Sequence, residues 1–389
     1  RQMCIRDRGS RVLSTEGALL ASRQQSAVIG DAISAAQISR SPDGTSGDAL
    51  KRVPGLTVNN GKYVYVRGVT DRYNVTEVNG IAMSGTNVDK DRKSFNFDMV
   101  PANLLSNVVV IKSATPDMPG DFAGGLVRIS TLEFPDQATT AAGVSVAHTG
   151  GTTGEDFHYD ATEGDTDWLG IDDGGRDFPA EVLEGPEDVP MADREQNLAR
   201  ELPNRWTTTT RPAPIRYNWN LSHGNKFGVP GGDLGTMVAL SYRNKYDLRQ
   251  EEEHRESDPV AGGEELDASG ETSHKQLIWG GLANLFYRSG RHRVGWTNTY
   301  NRSADSEITF LEGRDSSKDF AWRTLAWQER FQFVSKLDGR HGFAAPQGEL
   351  DLGWQTWYGE SQATEPDRRY LSYNTGGSDE IPDFMDENM

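Results

Sequence analysis

The chain has 389 residues, enough for two or three domains with a sizeable core, and a formal net charge of −18 from 58 Asp plus Glu against 40 Lys plus Arg. Such an acidic balance argues against docking on phosphate backbones, so nucleic acid is not expected as a partner. Only 35% of the residues are hydrophobic and no run of about 18 apolar residues occurs, which excludes a transmembrane helix but leaves open a membrane β-barrel, whose strands alternate.

The single cysteine, Cys4, excludes an intramolecular disulfide and any zinc site built on cysteines. It stands in RQMCIRDR, which lacks the apolar core and cleavage site of a signal peptide. Residues 1–9 therefore read as a non-native leader and residues 10–26 as a linker.

SAVIGDAIS (26–34) predicts a short strand, and Ser34 three positions before Gln37 is a capping box that starts a brief helix. SPDG (41–44) predicts a turn. GDALKRVPG (47–55) predicts a second helix with Ala49, Leu50 and Val53 on one face, stopped by Pro54-Gly55. In NNGKYVYVRGVTDRYNVTEVNG (59–80), alternating β-branched residues predict two strands forming a hairpin. Arg67-Gly68 interrupts the first strand and Asn79-Gly80 ends the second. Between 100 and 131 a short helix, ANLLSN, leads into the strand VVVIK; Pro116, Pro119 and Gly120 mark a turn, and Gly124-Gly125 precede a last strand, LVRIST. Residues 27–136 are thus expected to form one compact mixed α/β domain.

Beyond residue 140 the texture changes. IRYNWNLS (215–222) places Ile215, Tyr217, Trp219 and Leu221 on one face, and ELDLGWQTWY (349–358) does the same with Leu350, Leu352, Trp354 and Tyr358. Stretches near 236–246, 275–288, 291–301 and 327–337 alternate less cleanly, and SVAHT (145–149) adds another, giving about seven strands with aromatic ends. Acidic connections at 150–213 and 249–272 are long, those at 223–234 and 289–291 are short, and the alternation is expected to continue at 303–320 and 338–348. Outer-membrane barrels segregate loop lengths this way.

In order and spacing, DAISAAQISRSPDG, ALKRVPGLTV, YVYVRGV, VNGIAM and VVVIKSATPDMPGDFAGGLVRIST resemble the plug domain of TonB-dependent outer-membrane receptors. The resemblance implies an α+β plug domain (27–136) followed by antiparallel transmembrane β-barrel strands (137–389), an incomplete barrel. A barrel of this family has about 22 strands, so the chain is expected to be an N-terminal fragment. The implied function is active import of a scarce nutrient of the ferric siderophore, cobalamin or glycan class. The implied partners are that nutrient ligand, the periplasmic TonB energy-coupling complex and outer-membrane lipid, around a monomer in the cell outer membrane of a Gram-negative bacterium. Arg52 and Arg67 match plug arginines that the family pairs with barrel glutamates, implying a plug-barrel lock. Pro54, Gly55, Gly68, Asn79, Gly80, Gly124 and Gly125 are expected to serve turns and packing. The family's energy-coupling segment has no convincing match within residues 10–26.

Catalytic chemistry finds little support. The seven histidines are dispersed, with no pair at helical metal-ligand spacing, and Ser46 in GTSGD lacks the frame of a nucleophile elbow and reads as a helix cap. Neither a cofactor, a metal nor an enzyme activity is expected. The aspartates at 165, 167, 172, 173 and 177 do not have calcium-loop spacing and read as a solvated surface. Trp296, Trp354, Tyr300 and Tyr358 read as an interfacial girdle. Two further readings stay open: a signal transducer on the same fold, and a secreted β-rich adhesin or binding protein.

Overall fold

The structure, a computed structural model, describes residues 30–41, 43–87, 94–116, 118, 123–133, 135, 137–176, 207–256, 265–315, 318–345 and 348–374. The expected leader and linker, the turn at Pro119-Gly120, and Asp177 lie outside the described residues.

The first domain is built on a five-stranded mixed sheet of strands β1 (Gly30–Ser34), β4 (Val75–Val78), β5 (Ile81–Met83), β6 (Leu105–Ile111) and β7 (Leu126–Thr131), ordered β1-β6-β7-β4-β5. Only β4 and β7 run parallel. Strand β6, an interior strand between β1 and β7, ends in the apolar run Val108–Ile111 rather than in an alternation. Helix α1 (Ala35–Ser39) begins at the expected capping box: Ser34 Oγ accepts from Gln37 N, and Gln37 Oε1 accepts from Ser34 N. Helix α2 (Ser46–Leu50) is capped by Thr45, which accepts from Asp48 N, not by Ser46. Ser46 is instead buried and donates to Phe97 O at 2.7 Å. ANLLSN is a single 3-10 turn (Ala102–Leu104), because its second half pairs in β6. The core gathers Ile33, Leu50, Val64, Val108, Val127 and Ile129 between sheet and helices.

The expected 59–80 hairpin does not form. Strand β3 (Tyr63–Val66) pairs with β2 (Leu56–Asn59), whereas Val75–Val78 joins the main sheet between β5 and β7. The reason is a tight turn at Arg67-Gly68, where both residues have positive φ (53° and 77°) and Val69 N donates to Val66 O at 3.0 Å. Positive φ at both central positions defines a type I′ turn, and Asn60-Gly61 and Asn79-Gly80 repeat it. The arginine in mid-pattern is therefore a turn residue, exposed to solvent.

The second domain is a seven-stranded antiparallel sheet of β8 (Thr139–Ala147), β11 (Arg216–Val229), β12 (Gly232–Glu256), β13 (Glu265–Ser289), β14 (His292–Asp315), β15 (Lys318–Ala345) and β16 (Gly348–Asn374), each paired with the next. The sheet is open, with β8 and β16 at its edges: an α+β plug followed by an incomplete barrel wall. The strands run far longer than expected. The stretches 249–272 and 303–320, taken as loops, are mostly ladder, and only two residues separate β14 from β15. Outside the apolar belt both faces of a strand carry polar side chains, so the period of two vanishes from the sequence while the backbone keeps pairing.

The two faces of the wall differ as the alternation dictates. One row, with Met237, Ala239 and Leu282, packs on Leu104 of the plug. The opposite row exposes Val144, Tyr217, Trp219, Leu221, Leu240, Leu285, Trp296, Leu352, Trp354 and Tyr358 as an apolar belt. No helix among the described residues is long and apolar enough to cross a membrane.

Among the described residues of the acidic stretch after β8, Asp165 and Asp173 are exposed as expected but Asp167 and Asp172 are not. The stretch forms a hairpin, β9 (Asp156–Asp160) with β10 (Thr208–Pro212), and a compact turn at 161–176, all laid on the outward face of β12–β15 beside the belt. Arg176, whose side chain is 1% exposed, takes both oxygens of Asp167 (2.8 and 2.6 Å) and Asp172 Oδ1 (2.9 Å), and lies 4.3 Å above the Trp327 ring. Burial opposes its charge, but Asp167 and Asp172 outweigh it and raise its pKa. Burial likewise pushes the Tyr159 phenol up to about 12.

Candidate functional site at the plug and wall interface

The functional geometry of a plug lies where it meets its wall; beside the apolar contact of Leu104 and Leu132 with Met237, Ala239 and Leu282, four polar contacts join the two among the described residues. The central one begins at the 3-10 turn Phe97–Met99, fixed by Phe97 N donating to Lys62 O at 3.0 Å and by edge-to-face packing of Phe95 on Phe97. This turn presents Asp98 to Arg330 of β15, whose guanidinium donates to both Asp98 oxygens (2.9 and 3.3 Å) and to Asp305 Oδ2 of β14 (2.6 Å). The other Asp305 oxygen accepts from Gln276 at 2.9 Å and lies 3.1 Å from His274 Nε2. The Arg330 side chain is 3% exposed. A buried guanidinium is tolerated only when paired and hydrogen-bonded, and this one carries two carboxylates supplied by two domains.

The second contact joins Arg243 of β12 to Asp48 at the start of α2, 3.4 Å apart. Its guanidinium crosses the backbone at Gly44, where a Cβ would stand 1.4 Å from Nη1. Burial pushes the Asp48 carboxyl up, but Lys51, Arg243 and Thr45 together hold it below the ordinary value. The third contact is Lys336 of β15 donating to Asn79 O at 2.9 Å. The fourth is a short seam where Asn284 donates to Leu132 O (2.8 Å) and Arg293 approaches Glu133 (3.7 Å). Opposite these, a cavity of about 1040 Å³ separates α1 and Asp43 from the inner rows of β8 and β11 (Gly143, Ser145, Asn218, Asn220).

The residues singled out from sequence are distributed unevenly over this interface. Arg52 forms an ion pair with Asp43, inside the plug, and its side chain is 39% exposed. Arg67 sits on its type I′ turn, its N–H donating to Gly55 O at 2.9 Å. Among the described residues neither is ion-paired with a wall strand. Pro54 O accepts from Lys112, which also pairs with Asp31. Gly55, Gly68 and Gly80 all have positive φ. Gly124 and Gly125 pack so closely that a Cβ would reach Asn74 Oδ1 at 2.2 Å and Val66 Cγ1 at 2.8 Å. Asn79 exchanges hydrogen bonds with Thr131 and, through its carbonyl, touches the wall.

Sequence reasoning missed Asp98, Asp48, Asp305, Arg330, Arg243 and Lys336. In the ion pairs Asp98–Arg330, Asp48–Arg243 and Glu133–Arg293 the plug supplies the carboxylate and the wall the cation, whereas Lys62 of the plug acts electrostatically on Asp305 of the wall. The signal present in the sequence was an arginine flanked on its own row by small or amide residues, Ala239 and Ser241 before Arg243, and Gln328 and Gln332 around Arg330. Among the described residues no group of three or more His, Cys, Asp or Glu is arranged to hold a metal ion. The arrangement is suited to holding one domain inside another, with charges that part without covalent change.

Comparison with known proteins gives the plug a family. The family model for the TonB-dependent receptor plug domain matches residues 22–126. No curated protein matches the chain. Among solved structures, the chain is similar to the unliganded ferric citrate transporter FecA (13% identity, 93% of this chain and 52% of that one, TM-score 0.42). It is also similar to the siderophore receptor PirA from Acinetobacter baumannii (8% identity, 88% and 59%, TM-score 0.35). A third is the ferric enterobactin receptor PfeA, mutant R480A, from Pseudomonas aeruginosa in complex with enterobactin (10% identity, 82% and 50%, TM-score 0.34). The chain spans about half the length of these structures. Residues 22–126 are thus a TonB-dependent receptor plug domain, and an antiparallel strand wall follows it in the chain.

Proposed function

We propose that the chain serves an outer-membrane importer that captures a scarce nutrient of the ferric siderophore, cobalamin or glycan class and passes it to the periplasm with energy from the TonB complex. The observation that carries this reading is the plug itself, held against the wall by the buried Asp98–Arg330–Asp305 cluster rather than by a continuous apolar seam. Paired buried charges hold strongly while dry and weaken steeply once a pull admits water to them. The outward belt supplies the lipid-facing surface, with Trp296, Trp354 and Tyr358 as girdle aromatics. In this reading Arg52 and Arg67, within the plug of residues 27–136, add a second, weaker lock to barrel glutamates, and residues 137–389 form wall and outer surface.

The test is transport. Cells that rely on this receptor for a candidate nutrient should accumulate it only when TonB and the proton gradient are intact. Equal uptake without TonB, or recovery of the protein in the soluble fraction without detergent, would overturn the proposal.

A further inference from the structure

The turn at 161–176 rests on the outward face of the wall, so its surroundings decide what it can touch. Three side chains of that face hold its backbone in place. Tyr242 donates to Trp168 O at 2.9 Å, Trp279 Nε1 donates to Leu169 O at 2.7 Å, and Arg302 donates to Gly170 O. Gly170, at φ 66°, sits so close to Ala304 and Leu277 that a Cβ would lie 3.0 and 3.1 Å from them. Ala304, Ile308, Leu325 and Trp327 are buried on this face above the belt. The turn is therefore seated, and it has no freedom to fold its own side chains inward.

Yet the Trp168 side chain is left 60% exposed. Its anchor, Tyr242, stacks with Tyr217 and Trp219 (ring centroids 5.9 Å in both cases), and Trp279 packs on Tyr300 at 4.9 Å, which stacks on Phe331. These rings form the upper margin of the apolar belt, and Leu240, 43% exposed, lies two residues below Tyr242 on the same strand. Two strand residues rise about 7 Å, so the anchor of Trp168 stands one row from an exposed aliphatic of the same outward face, and Val146 and Ile215 continue that apolar surface on β8 and beside β11. An indole held rigidly in water has no compensation, whereas one at a lipid interface places its ring among acyl carbons and headgroups.

Building on the outer-membrane reading above, we infer that the 161–176 turn is an added interfacial anchor: it sets Trp168 into the headgroup zone of the outer leaflet, extending the girdle beyond the wall. Lipid is the occupant because the exposed ring stands on the same outward face as the belt and two of the turn's three anchors are aromatics, of which Tyr242 stacks on the belt residues Tyr217 and Trp219.

The experiment uses single thiols on a Cys4→Ser background, labelled with bimane, in phosphatidylcholine vesicles carrying nitroxide near the headgroup. The positions are Trp168→Cys, Leu240→Cys on the belt and Thr209→Cys on exposed β10. Labels at 168 and 240 should lose about half or more of their fluorescence to the shallow nitroxide and resist aqueous iodide, and the label at 209 should show the opposite. Quenching at 240 with iodide access at 168 would overturn the anchor and leave the membrane reading intact. No lipid quenching at 240 would overturn both. Trp168→Phe, which keeps an aromatic ring and carries no label, checks the result: the nitroxide-quenched part of the native tryptophan emission should fall relative to the unsubstituted protein, and an unchanged quenched part would also overturn the anchor.

Discussion

Arg330 offers the sharpest test of how the plug is held. In Arg330→Gln the carboxylates of Asp98 and Asp305 remain buried, facing one another across the plug boundary without their shared cation. Removing one member of a buried ion pair costs about 3–5 kcal/mol. At about 1.4 kcal/mol per factor of ten, the detached plug should become roughly a hundred- to several-thousand-fold more populated. Asp98→Asn should cost less, about 1.5–3 kcal/mol, because Arg330 keeps Asp305 and the amide still accepts a hydrogen bond. Detachment can be read with a thiol at Leu132→Cys on a Cys4→Ser background, since Leu132 lies between the plug and Met237, Ala239 and Leu282. The rate of its reaction with a bulky maleimide should rise by the stated factors. The double variant should fall well short of the sum of the two single effects, since both remove the same contact. A rise below about three-fold in Arg330→Gln, or strictly additive effects, would refute the latch.

Further outcomes follow from the same geometry. Arg52→Ala with Arg67→Ala should raise the Leu132→Cys labelling rate by less than Arg330→Gln does, because exposed ion pairs contribute about 0–1 kcal/mol; an equal or larger rise would move the latch to the plug arginines. Arg67→Asn should raise the thermal midpoint of the plug, since asparagine tolerates the left-handed φ of 53° better than arginine. Gly170→Val should free the turn from the wall and speed proteolysis within 161–176, leaving the β12–β15 ladder protected in hydrogen exchange. The depressed pKa of Asp48, held down by Lys51 within the plug and by Arg243 of the wall, sets a pH dependence: its contribution to stability, of which the Arg243 part is docking, is full above the ordinary carboxylate value of about 4 and is lost as pH falls through the lower folded value. Acid labelling profiles of wild type and Asp48→Asn should therefore diverge above that range and converge below it.

Much of the plug was legible because its signals are local. A capping box needs only Ser34 and Gln37, and a type I′ turn only an Asn-Gly or Arg-Gly pair; both formed where the residues stand. The same holds for the outward belt, whose period of two at Tyr217, Trp219 and Leu221 is a property of one strand facing an apolar surrounding. Strand length was not legible, because beyond the belt both faces are polar and no alternation marks where pairing ends. Two of the acidic residues differ from the expected solvated surface for a related reason: Asp167 and Asp172 are charged in any sequence, and only the arrival of Arg176 and Trp327 turns them into buried ligands, whereas Asp165 and Asp173 are exposed.

By itself, then, the sequence determined the two kinds of texture, a turn-punctuated α/β segment and an alternating wall, since side-chain period and turn chemistry act over a few residues. Which strand pairs with which, that Val75–Val78 leaves its neighbour for β7, and that Asp98 meets an arginine more than two hundred residues away were decided by tertiary structure alone. Contacts of that separation depend on how whole sheets stack, and a buried charge finds its partner only after the surfaces carrying both have been brought together.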